Sequence, residues 1–198
     1  MSSLDPSTRF NIAKASVLVV DGSEASLETT RQIFRGFGAQ KIYCYANTEG
    51  AQAECSRNSI DLVVMDPAVE SGAGYDLVRA IRRGETASKY APILLTLGYV
   101  RLCDINRARD CGANFMLTKP VSPEALLKRI LWAARSARAF IETEAYVGPD
   151  RRFKFEGPPP GIDGRRATDV TTPLSDAEAP NLSQQEVEAM IRPQRVVL

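Results

Sequence analysis

VLVVD at 17–21 and DLVVMD at 61–66 are short β-branched runs, each ending on a carboxylate. Three further runs share their apolar character: KIYCYA (41–46), PILLTL (92–97) and NFMLTK (114–119). Between them lie stretches with helical spacing. LETTRQIFRGFG (27–38) places Leu27, Thr30, Ile33, Phe34 and Phe37 on one stripe, and NTEGAQAECSRN (47–58) does so more weakly. GYDLVRAIRRG (74–84), VRLCDINRARDCG (100–112) and SPEALLKRILWAARSARAF (122–140) complete the series. In the last, Ser122 is a predicted N-cap and Pro123 occupies the first helical position. Near-continuous apolar strands alternating with amphipathic helices predict a parallel sheet covered on both faces. The expected fold is therefore α/β: a doubly wound, flavodoxin-like sheet of five parallel strands. Its functional crevice belongs at the C-terminal ends of the strands.

Composition narrows the chemistry. Among 198 residues, Lys plus Arg number 25 and Asp plus Glu 24, for a formal net charge of +1, which argues against nucleic acid bound by a broad basic surface. There is no histidine, so imidazole acid–base catalysis, Ser-His-Asp triads and imidazole zinc sites are excluded, and no enzymatic activity is expected. The four cysteines show no C-x-x-C spacing and read as reduced packing residues of a cytoplasmic protein. No apolar run approaches the roughly 20 residues of a membrane span, and MSSLDPSTRFN has no signal-peptide core. Near Tyr146 the composition turns to Pro, Gly and charge. Residues 1–13 read as an arm, 14–146 as one domain and 147–198 as an extended tail. Ser183-x-x-Glu186, flanked by Leu182 and Val187, is a capping-box pattern that predicts a short helix over 184–191.

Asp21 and Asp66 end two strands, and Lys119 ends a third. A single such Asp is ordinarily a helix cap or a solvated strand end. Two carboxylates and an ammonium converging on one sheet edge instead suit Mg²⁺ and a transferred phosphoryl group.

Together VLVVD (17–21), DLVVMD (61–66) with Gly74 eight residues on, CGA (111–113) and LTKPVSPEAL (117–126) resemble the receiver domain of bacterial response regulators. The likeness covers about residues 15–140. The tail, with arginine pairs in GPDRR and GRR, resembles that of stand-alone alphaproteobacterial receivers. The resemblance implies that Asp66 accepts phosphate from a histidine kinase and that Lys119 grips the phosphoryl group. It also implies Asp21, Asp66 and the Ala68 backbone carbonyl as metal ligands.

Several positions depart from the family. Gly22 replaces the second acidic residue, so Mg²⁺ binding should be weak. Ungapped spacing from Lys119 puts Leu97 where a hydroxyl normally bonds the phosphoryl group, with Thr96 one residue away. In a strand, Thr96 should face the opposite side unless a bulge intervenes. Met116 replaces the aromatic of the switch, and Glu70 stands where a proline is common. Losing the hydroxyl removes a bond to a charged group, about 1.5–3 kcal/mol.

These departures favour a degenerate receiver acting through contacts with a histidine kinase or another signalling protein. A working phosphoacceptor using Asp66 with Mg²⁺ is the alternative. On the last helix Arg129, Arg135 and Arg138, with Lys128, are the candidate partner-binding residues, extended by Arg101, Arg107 and Arg109. A homodimer through the same face stays open. Arg151-Arg152 and Arg165-Arg166 can bind phosphate or carboxylate bidentately, and a third reading is ligand or nucleic-acid binding through this arginine-rich tail, with Phe153 and Phe155 available to pack on the domain or a partner.

Overall fold

The computed structural model describes residues 12–135 and 139–151, with backbone alone at Arg135. The arm before residue 12, the predicted helix at 184–191, Phe153, Phe155, Arg152, Arg165, Arg166 and Arg138 lie outside the described residues, as does the Arg135 side chain.

Five strands, β1 (Ser16–Val20), β2 (Lys41–Tyr45), β3 (Leu62–Met65), β4 (Ile93–Leu97) and β5 (Phe115–Thr118), form one sheet in the order β2-β1-β3-β4-β5. Every pairing in it is parallel. Five helices alternate with them: α1 (Glu24–Gly36), α2 (Thr48–Arg57), α3 (Gly74–Arg83), α4 (Leu102–Cys111) and α5 (Pro123–Arg135). Strand alternation divides the core. Val17, Val19, Leu62, Val64, Leu94 and Leu117 pack with Phe34 of α1 and Leu126 and Ile130 of α5. Leu18, Val63, Met65, Leu95 and Met116 pack with Ala51 and Cys55 of α2, Leu77, Val78 and Ile81 of α3, and Ala108 and Cys111 of α4. This is the doubly wound fold that the strand pattern predicts. The cysteines are free; Cys55 and Cys111 are buried, which pushes both thiols up to about 11.

Local chemistry sets the helix ends. Ser23 caps α1, Asn47 Oδ1 accepts from Gly50 N–H at 2.8 Å, and Ser122 Oγ accepts from Ala125 N–H at 3.1 Å. Gly112 ends α4 in the left-handed region at φ 96°.

The last helix does not run to residue 140. Phe140–Glu142 (β6) turns back onto Val147–Pro149 (β7) in an antiparallel hairpin, so the structured part passes the point where the composition changes. The reason is tertiary. Phe140 packs edge-to-face on Tyr90, ring centres 4.9 Å apart, with the Arg82 guanidinium 5.5 Å from its ring centre. Arg82, 1% exposed, donates to the carbonyls of Gly112, Lys89 and Ala91 and to Asn114 Oδ1 at 2.6–2.9 Å.

Candidate functional site

β1 and β3 are neighbours and β5 lies two strands from β3, so their C-terminal ends share one sheet edge. There the structure unites the three residues expected from sequence. Lys119 Nζ donates to Asp21 Oδ2 at 2.7 Å and to Asp66 Oδ2 at 2.5 Å. Asp21 is buried, and the side chains of Asp66 and Lys119 are 15% and 24% exposed. Burial alone would lower the Lys119 ammonium; bonds to both carboxylates outweigh it and leave its pKa above the ordinary lysine value.

Each carboxylate oxygen has a donor. Asp66 Oδ1 accepts from Ala68 N–H at 2.8 Å, and Asp21 Oδ1 from Ser23 N–H at 2.9 Å. Asp21 Oδ2 accepts a second bond from Ser26 Oγ, at 2.5 Å. Ser26 lies in the first turn of α1, and its spacing five residues after Asp21 is the one sign of this contact that the sequence carries.

The resemblance implies Mg²⁺, which takes six oxygens in near-octahedral array. The residues here do not fit a tightly held ion. All four carboxylate oxygens are engaged, an ammonium lies against both acids, and Gly22 adds no ligand. Among the described residues, no group of three Asp, Glu, Cys or His side chains is placed to hold a metal.

The switch positions separate cleanly. β4 pairs with β5 without a bulge, Thr96 opposite Leu117 and Leu97 opposite Thr118. Leu97 lies in the buried cluster with Met65, Val100 and Met116, and its carbonyl accepts from Lys119 N–H at 2.7 Å. Thr96, also buried, alternates onto the face of Leu94 and Leu117. The residue at the strand end beside Lys119 is thus a leucine.

The loop after Asp66 is shaped unusually. Glu70 and Ser71 have φ of 46° and 61°, followed by Gly72 at 102°. Proline, fixed near −65°, could not occupy position 70 in this conformation. Non-glycine residues in this region cost about 1–3 kcal/mol each. Glu70 offsets part of that by accepting from Thr48 N–H at 2.8 Å and Thr48 Oγ1 at 2.5 Å, tying the loop to α2. Gly74 is required for a different reason: a Cβ there would sit 2.7 Å from Pro67 Cα and 3.0 Å from the Asp66 carbonyl.

The cationic face is partly neutralised within the chain. Lys128 pairs with Glu124 at 2.7 Å, Arg101 with Asp104 at 3.2 Å, and Arg109 approaches Asp110 at 3.8 Å. Arg107 lies over Tyr75 and Arg129 over Phe115. Arg151, first of the tail pair, is engaged by Asp110 at 2.6 Å and by the Tyr146 ring at 4.1 Å. No helix among the described residues is long and apolar enough to cross a membrane.

Comparison with known proteins agrees with this geometry. The Virulence sensor protein BvgS of Bordetella pertussis is 31% identical, with 89% of this chain covered, although the match spans 13% of BvgS. The nitrate/nitrite response regulator protein NarP of Escherichia coli is 27% identical, covering 89% of this chain and 85% of NarP. Among solved structures, the chemotaxis response regulator CheY4 of Vibrio cholerae matches with a TM-score of 0.55 at 25% identity, over 60% of this chain and 98% of that one. A response regulator from Chloroflexus aurantiacus matches at 0.56 and 26%, over 61% and 98%. The family model for the response regulator receiver domain matches residues 17–131, the stretch that carries the five-stranded sheet and all three strand-end residues. With sheet order, strand-end charges and family match in agreement, the chain belongs to the response regulator receiver domain family of two-component signalling.

Proposed function

We propose that this receiver is degenerate and signals by protein contacts rather than by phosphorylation of Asp66. The observation that carries the reading is Leu97, buried with Met116 at the strand end beside Lys119. Receivers couple phosphorylation to output through a hydroxyl at this position, as the family pattern implies. A leucine side chain offers no hydrogen bond to a phosphoryl group on Asp66, and it packs against Met116 instead. Gly22, which removes an acidic ligand, acts in the same direction. The partner is a histidine kinase or another signalling protein, and α5 with α4, which flank the edge strand β5 from opposite faces of the sheet, is its docking face. Lys128 and Arg129 are the described cations of α5; Arg135 and Arg138 extend the same assignment from sequence. The protein carries out no reaction of its own in this reading.

Asp66 remains partly exposed beside an ammonium, which is the placement a working phosphoacceptor would also need. One experiment separates the two. Incubation with acetyl phosphate and Mg²⁺, followed by intact mass, should show no phosphoryl adduct. Asp66→Asn, nearly isosteric, should keep partner binding in a pull-down, whereas Lys128→Glu with Arg129→Glu should weaken it severalfold, because repulsion replaces attraction toward an acidic patch. An adduct on Asp66 together with loss of binding in the Asn variant would establish the phosphoacceptor instead.

A further inference from the structure

We propose that Lys119 is the resident cation of the strand-end site and that Ser26 holds Asp21 for it, so that this site excludes divalent metal. The inference rests on the degenerate reading and deepens it by naming what stands in the metal's place. Asp21 and Asp66 project from neighbouring strands toward one edge, and two carboxylates there need a positive charge between them. Lys119 supplies it, at 2.7 Å to one and 2.5 Å to the other.

Ser26 completes the arrangement. Its hydroxyl donates to Asp21 Oδ2, the same oxygen that Lys119 uses, while Ser23 N–H takes Oδ1. Asp21 therefore has three donors on two oxygens, all supplied by this chain. A divalent ion entering the site would have to displace the Lys119 ammonium and break the Ser26 bond. It would gain no ligand from position 22.

That missing ligand is a matter of chemistry rather than room. A Cβ built on Gly22 has nothing within 4 Å, and Gly22 is not among the positive-φ glycines. An aspartate fits there without backbone strain. With Lys119 retained, two changes favour a metal, an added carboxylate at position 22 and a released Asp21 at position 26. Ser26 acts through Asp21 and is a positioning residue.

The test uses the full-length chain, with Mn²⁺ binding read by loss of the free-ion EPR signal and melting temperature compared in EDTA and in millimolar Mg²⁺. Wild type should bind Mn²⁺ negligibly and melt at the same temperature in both buffers. Lys119→Met should melt lower in EDTA, and Mg²⁺ should restore most of the loss by replacing the ammonium between the acids. Should that variant not fold, the Gly22→Asp pair keeps the question open to measurement with Lys119 intact. Gly22→Asp with Ser26→Ala should bind Mn²⁺ roughly ten- to hundredfold more tightly than Gly22→Asp alone, the worth of one hydrogen bond to a charged group that the entering ion no longer has to break. Equal affinities in those two variants would overturn the role of Ser26. Mn²⁺ binding by wild type without phosphoryl uptake would overturn the exclusion and leave the scaffold reading standing. Phosphoryl uptake without metal binding would support the exclusion and overturn the scaffold reading.

Discussion

Arg82→Met should lower the melting temperature by roughly 10 °C or more, the largest loss expected of any single side chain in this protein. Methionine replaces much of the buried volume but donates no hydrogen bond. The carbonyls of Gly112, Lys89 and Ala91 each lose an arginine donor, while Asn114 Oδ1 keeps its bond from Ile93 N–H at 2.8 Å. Leaving a buried acceptor unmet costs about 1–3 kcal/mol; the Gly112 and Ala91 bonds are buried and the Lys89 bond partly so, which together come to about 3 kcal/mol or more. The guanidinium has no carboxylate partner in these bonds; carbonyl dipoles and the Phe140 ring surround its charge. Burial pulls its pKa down to about 10, still charged at neutral pH. Thermal denaturation followed by circular dichroism provides the check. A shift of only a couple of degrees would mean that water replaces the arginine, and that it does not fasten the base of the domain.

The second large effect concerns the hairpin. A chain ending at residue 151 should melt with the full-length protein, whereas one ending at 138 should lose about 3 kcal/mol or more. Removing β6 and β7 takes away the buried Tyr146, at about 1.5–3 kcal/mol for a fully buried aromatic, and the half-buried Phe140, which adds a fraction of that. It also removes the Lys89–Glu142 and Arg151–Asp110 pairs, which are exposed and worth little. Gly148→Val tests the same docking without changing length. A Cβ at Gly148 would lie 2.8 Å from Gly112 Cα, and one at Gly112 would lie 2.6 Å from the Val147 carbonyl, so the two backbones meet only because both residues are glycine. That variant should melt below wild type, and limited proteolysis should then cut near residue 139. Resistance equal to wild type would show that the hairpin contributes nothing to the domain.

This hairpin lies beyond residue 131, where the family match ends. It packs against the end of the domain away from Asp66, on α3, the turn at Ala87–Tyr90 and the end of α4. The hairpin thus borders the face assigned to the partner at the end of α4, where Arg151 pairs with Asp110. A truncation made at the family boundary would confuse loss of stability with loss of signalling.

The sequence by itself determined the sheet and its charged edge. Apolar runs four to six residues long, alternating with helical patterns, suit parallel strands, and a charge closing such a run emerges where the strand leaves the core, as Asp21, Asp66 and Lys119 do. Alternation also separated Thr96 from Leu97, because period two leaves no freedom once the pairing has no bulge. Three features required the tertiary structure. Ser26 reads as an ordinary residue in a helical first turn until α1 brings its hydroxyl onto Asp21. Helical spacing continues through Phe140, yet the ring gains more by covering Arg82 and Tyr90, groups about fifty residues earlier that local periodicity cannot weigh. Arg82 reads as the polar side of an amphipathic helix; only the convergence of two separate segments on it, 89–91 and 112–114, supplies enough acceptors to bury a guanidinium. Local pattern fixes where backbone hydrogen bonds run, whereas the partners of a buried polar side chain are chosen by contacts distant in sequence.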